Sequence, residues 1–275
     1  MKTHSHKTLG PVSSKLITTL LKEGQVFFRL ADVQRILNKT ERASADLISE
    51  LVKRRIAARL KPGLFLIIPL EADRNYRGNL LLTAAELAHP HPYYIAYYSA
   101  MAVHGMTTHP VKDIFIASTA RRKNRQIGPA VFLFQYTQKK RLFGLTDHWA
   151  TPDRTVKISD PERTIIDALA RPELCGGISE ITKGLWIRRK NIDLDSLCRY
   201  TKKLQIHAVT KRLGFLLEHL KIADQKTLTR LQRRAARSQA YVPLEPGGDN
   251  SGRHISRWKL RINIPIKEIE QTLWH

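Results

Sequence analysis

Cysteine is scarce in this chain. Cys175 and Cys198 are the only two, far apart and without a CxxC pair. That excludes a disulfide-dense scaffold and a thiolate zinc cluster, and both residues read as buried, inert thiols. Long apolar runs are missing too: none approaches the ~18 residues a helix needs to cross a bilayer. The opening Met1-Lys2-Thr3-His4-Ser5-His6 has no apolar core of a secretory signal, so a cytoplasmic location is expected. Catalytic signatures are also lacking. There is no GxSxG, Walker A, HExxH or GxGxxG, and no Gly-Ser turn followed by paired aspartates of the nucleotidyltransferase kind. His89-Pro90-His91-Pro92 has neither the spacing nor the cysteine partners of a zinc site. The expectation is a protein that is not an enzyme, with no metal and no cofactor.

Acidic side chains are the next shortage. Lys and Arg number 47 against 24 Asp and Glu, a net charge of +23. A field of that sign draws polyanions, chiefly nucleic acid, through counterion release. An anionic membrane is the competing target, but no long basic amphipathic helix carries Trp or Phe on its apolar face, so no membrane partner is expected. Residues 1–78 carry 15 bases and 7 acids, 79–201 carry 17 and 11, and 202–275 carry 15 and 6. The ends are therefore more basic per residue than the middle.

What is present is enough apolar residue, 42% of 275, for two compact units. In the first, spanning 1–70, Leu16, Ile17, Leu20 and Leu21 recur at helical spacing over 13–23, with Ser13 or Ser14 as cap and Gly24 as stop. An extended piece at 25–28 follows, then a helix over 30–37. The Asn38-Lys39-Thr40 link leads into a third helix from Glu41 to about Arg55, capped by Thr40. On that helix Leu47, Ile48 and Leu51 fall on one side. Arg42, Ala45, Asp46, Ser49 and Lys53 fall on the other, a mix of small, hydroxyl and cationic residues suited to a major groove. Pro62-Gly63 supplies the two central residues of a tight turn, with Arg59 and Lys61 near the tip of the hairpin it closes.

Helix, short strand, helix, turn, helix and basic hairpin is the order of a winged helix-turn-helix. Lys39, Arg42, Ser49, Lys53, Arg59 and Lys61 are the expected DNA contacts. A winged helix that binds only protein is the alternative.

The second unit, 71–275, begins with a polar linker at 71–75 and a helix over 79–88. Its motifs are Tyr97-Tyr98-Ser99-Ala100-Met101-Ala102-Val103-His104-Gly105-Met106, then Ser159-Asp160-Pro161-Glu162-Arg163-Thr164-Ile165-Ile166-Asp167-Ala168-Leu169, then Arg257-Trp258-Lys259-Leu260-Arg261-Ile262-Asn263. The ordered set resembles the AbiEi antitoxins of AbiE-type toxin–antitoxin pairs, with Met106 where that family has Leu. The resemblance implies an α+β protein, a winged helix-turn-helix followed by a mixed α/β antitoxin domain. It also implies two partners: double-stranded DNA, as repeats in its own promoter, and a nucleotidyltransferase-like toxin that it counters without a required stable complex. A stand-alone regulator with a ligand-sensing second unit is the other reading.

Asp160, Glu162, Asp167, Glu173 and Glu180 invite a metal-dependent nuclease reading. Helix capping explains more of them: Asp160 or Ser159 as cap, Pro161 in the first turn, Glu162 favouring the helix dipole, and Asp167 free to hold an arginine. His104 fits a helix C-terminus. Arg121, Arg122, Lys123 and Arg125, with Lys139-Lys140-Arg141, form basic clusters on hairpin ends. Helices are expected over 204–222 and 225–238, making 204–238 a basic helical portion. Arg233, Arg234 and Arg237 on the latter, with the 121–125 group, are expected as additional phosphate contacts. Trp258, Leu260 and Ile262 alternate as in a strand, expected to join the sheet of the second unit.

Overall fold

A proline opens the first helix. α1 runs Pro11–Lys22 from an extended Gly10, and Pro11 occupies the first turn, where a missing N–H costs nothing. The expected serine cap is therefore displaced, and Ser13 is buried within the helix. Leu16, Ile17 and Leu20 face inward as expected, whereas Leu21 is 51% exposed. The computed structural model describes residues 8–72, 76 and 78–271, and the chain is an α+β protein. Residues 1–6, read above for a signal, and 73–75 of the expected linker lie outside the described residues.

β1 (Phe27–Phe28) leads into α2 (Leu30–Leu37), which ends on a left-handed Asn38 at φ 49°. α3 (Glu41–Lys53) starts at Thr40, whose hydroxyl accepts from the Ala43 N–H at 3.4 Å. It stops short of Arg55, which takes a positive φ of 56°. β2 (Ala57–Lys61) and β3 (Leu64–Ile67) pair antiparallel around Pro62-Gly63, with Gly63 at φ +72°, a conformation that favours a residue without Cβ. The sheet order is β1-β3-β2. Leu16, Leu20, Phe28, Val33, Leu51 and Ile56 form the core beneath it, all at most 1% exposed.

The chain divides into two compact units, Met1–Leu87 with Gln126–Ala130, and Ala88–Arg125 with Val131–His275. The division falls after Leu87, not at residue 70. α4 (Leu80–Ala88), capped by Asn79, belongs with the β2–β3 hairpin: Lys61 Nζ donates to the Glu86 carbonyl at 2.5 Å.

The larger sheet has six strands, β4 (Tyr93–Ile95), β5 (Asp113–Ser118), β6 (Arg125–Ile127), β7 (Ala130–Tyr136), β8 (Leu145–Thr151) and β9 (Arg154–Ser159), in the order β6-β7-β5-β4-β9-β8. β5 and β7 are parallel, with Ser118 opposite Tyr136; β4 runs antiparallel to β5, with Tyr93 opposite Ser118. Helices α5 (Tyr97–Val103), α6 (Pro161–Ala170), α7 (Gly177–Arg188), α8 (Leu194–Leu204), α9 (His207–His219) and α10 (Gln225–Ala235) complete most of the second unit. α9 and α10 are each shorter than their periodicity suggested. Ile206 sits at the α9 cap position, and Leu220 and Ala236 end α9 and α10.

The C-terminal strand does not join the large sheet. β10 (Val242–Pro243), β11 (Arg253–Ile255) and β12 (Leu260–Ile262) make a sheet of their own, ordered β10-β12-β11, and α11 (Ile266–Gln271) follows. Trp258 lies in the turn before β12 rather than in a strand. It is fully buried against α9, where a Cβ on Gly214 would come within 2.0 Å of its ring, and its Nε1 donates to Glu218 at 2.5 Å. Leu260 and Ile262 do alternate in a strand, and Trp258 extends that pattern from the turn before it.

Candidate nucleic-acid interface

Helical geometry sorts α3 into two faces. Ser44, Ile48 and Leu51 are buried, while Arg42, Ala45, Asp46, Ser49 and Lys53 are all exposed. Lys39, in the link before α3, is exposed as well. Among the described residues Arg42 and Lys53 have no carboxylate partner, so both charges face solvent unspent. The next cation is not equivalent. Arg54 donates to the Thr8 carbonyl and lies 3.9 Å from Glu50. Arg35, on α2, is held by Glu23 through two hydrogen bonds of 3.0 and 2.7 Å, fixing the end of α1 to α2. Buried Ser44 Oγ lacks a hydrogen-bond partner, a cost accepted at the helix–core contact.

The hairpin carries its two predicted cations differently. Arg59 is exposed on β2, its guanidinium 5.9 Å from the Phe65 ring centre. Lys61 is half-buried and committed to the Glu86 carbonyl. Its ammonium is thus a tie to α4 in this structure. Sequence reasoning missed this because residues 61 and 86 meet only through tertiary packing.

The outlying cations also separate. Arg121 and Lys123 are exposed in the loop after β5, and Arg125 is exposed on β6. Arg122 is half-buried and donates to the His89 carbonyl at 3.3 Å. On α10, Arg233 is exposed, as is Arg237 just beyond its end. Arg234 is instead spent on the Cys198 carbonyl and on Thr201 Oγ1 at 3.0 Å, and Arg230 pairs with Asp195 at 2.5 Å. Half of this arginine cluster therefore fastens α10 to α8.

The five carboxylates weighed as nuclease ligands are dispersed. Asp160 caps α6, accepting from Arg163 N at 2.7 Å, and takes the Tyr200 hydroxyl at 2.6 Å. Glu162 accepts from Asp193 N at 3.0 Å, Glu173 pairs with Arg171, and Glu180 accepts from Thr107 at 2.5 Å. Asp167 faces Arg163 at 2.9 Å inside the core, where the guanidinium also meets the Tyr94 hydroxyl at 3.1 Å. Burial raises the Asp167 carboxyl above its ordinary value, and the Arg163 charge opposes that. Among the described residues no group of three His, Cys, Asp or Glu is placed to hold a metal ion. Cys175 and Cys198 are buried and free. His104 ends α5, but its ring reaches the Ser159 carbonyl at 2.6 Å rather than the carbonyls of its own helix.

These elements define an α+β protein of two units, with no helix among the described residues long and apolar enough to cross a membrane. No protein-family model and no curated protein matches the chain. Among solved structures the chain is similar to the RV2827C protein of Mycobacterium tuberculosis, at a TM-score of 0.70 and 15% identity, covering 98% of this chain and 96% of that one. The fold is shared along nearly the whole length.

Proposed function

We propose that this chain is a cytoplasmic DNA-binding antitoxin that represses its own promoter, acting by binding rather than catalysis. The observation that carries the DNA half is the outer face of α3. It presents Arg42, Ser49 and Lys53 around the small Ala45, all exposed, beside a tight hairpin bearing Arg59. Small residues permit close approach to base edges, Arg and Ser offer hydrogen bonds, and Lys39 and Arg59 suit flanking phosphates. In this reading the first unit works as a winged helix-turn-helix with α3 in the major groove. The net charge of +23 supports a polyanionic partner.

The antitoxin half rests on the resemblance to the AbiEi family at Tyr97–Met106, Ser159–Leu169 and Arg257–Asn263. The test has two arms. Gel-shift titration should show the chain preferring its own promoter to random duplex, with Arg42→Ala and Ser49→Ala eroding that preference; equal affinity for both duplexes at moderate salt refutes the repressor role. Co-expression with a nucleotidyltransferase encoded beside it should restore growth, and failure to do so refutes the antitoxin role.

A further inference from the structure

Residues 114–146 contain no acidic side chain and seven cations. The topology gathers them. Because β5 and β7 are parallel and Ser118 lies opposite Tyr136, the loop after β5 and the turn after β7 emerge at the same end of the sheet. The first brings Arg121 and Lys123, the second Lys139 and Lys140, all exposed and without a carboxylate partner among the described residues. Between them stands Tyr136, 52% exposed, with the Arg121 guanidinium 4.9 Å from its ring centre. β4 starts at this end too, and the Thr119 N–H donates to the Pro92 carbonyl at 3.0 Å. An open cleft of about 430 Å³ lies where β4 begins, lined by Pro90, His91, Tyr93, Leu142, Leu145 and Lys157.

Cations alone would suit any polyanion. An exposed tyrosine with a guanidinium over its ring suits one whose bases are unstacked. In a duplex the base faces are already covered. In a single strand they stack on aromatic rings and arginine planes while the phosphates follow a basic track. We propose that this strand-end face of the second unit binds unpaired nucleic acid, with a base stacked at Tyr136–Arg121 and the phosphates on Lys123, Lys139 and Lys140. The face belongs to the second unit and α3 to the first, and the inference stands whether or not the promoter reading does.

The test is fluorescence anisotropy of the full chain with labelled oligo-U RNA and oligo-dT DNA of about twelve nucleotides, within the range of known single-strand sites, beside the promoter duplex. Tyr136→Ala is expected to weaken oligonucleotide binding about ten-fold, the scale of one lost stacking contact. Tyr136→Phe should retain binding, because the ring and not the hydroxyl does the stacking. A Lys139→Ala, Lys140→Ala double variant should weaken binding and flatten its salt dependence, and neither change should alter binding to the promoter duplex. Arg42→Ala should leave the oligonucleotides unaffected. A preference for RNA or DNA identifies the source of the strand. The proposal is overturned if wild type binds neither oligonucleotide, if Tyr136→Ala binds as wild type, or if poly-glutamate displaces the strand as readily as unlabelled oligonucleotide. Matching thermal melts confirm that these exposed substitutions leave the fold intact.

Discussion

Arg163 is 1% exposed and meets Asp167, the Tyr94 hydroxyl and the face of Phe143, 4.1 Å from its ring centre. Two charges removed from water hold each other; removing one leaves the other stranded. Asp167→Ala should therefore cost about 3–5 kcal/mol in urea unfolding. A loss under about 1 kcal/mol would show that the pair is replaceable. His104 gives a pH dependence whose sign follows from its burial. Burial lowers its pKa below the ordinary imidazole value, outweighing the hydrogen bond to Ser159. The unfolded chain thus takes up the proton more readily than the folded one. The stability His104 contributes is full above about pH 6.5 and is lost as pH falls through the lower folded value. Thermal melts should drop over that window in wild type and drop less in His104→Gln; parallel curves would refute the assignment.

Local rules work best on elements bounded by their own residues. α2, the link that follows it at Asn38, the Thr40 cap and the Pro62-Gly63 turn were legible because each depends on two or three neighbours. Gly63→Ala tests the turn: with φ at +72° and nothing within 4 Å of the added Cβ, the cost is backbone strain alone. About 1 kcal/mol of destabilisation is expected in chemical unfolding, and no measurable loss would refute strain at that turn. Pairings across long stretches were not legible. Nothing near Arg234 foretells that the Cys198 carbonyl and Thr201 hydroxyl of α8 will absorb it, and nothing near Lys61 announces α4. The α3 face was readable because exposure there follows the helical period. The Tyr136 face was not, since it exists only once β5 and β7 lie parallel.

At the scale of the molecule, 47 bases against 24 acids leave positive charge well beyond the α3 face. Binding to the promoter duplex should fall steeply with salt, as phosphate contacts release counterions. Arg59→Ala should reduce the log–log salt slope by about 1 while sparing sequence preference. Isothermal titration at several salt concentrations reads this directly, and an unchanged slope removes Arg59 from the phosphate contacts. The contact of Gly214 with Trp258 has a different reach. The indole occupies the space a side chain at 214 would need, and it joins α9 to the small C-terminal sheet. These two positions are bound to a shared history. A lineage that acquires any larger residue at 214 must first or at once shrink the one at 258, so among descendants of this fold the two are expected to drift as one heritable unit.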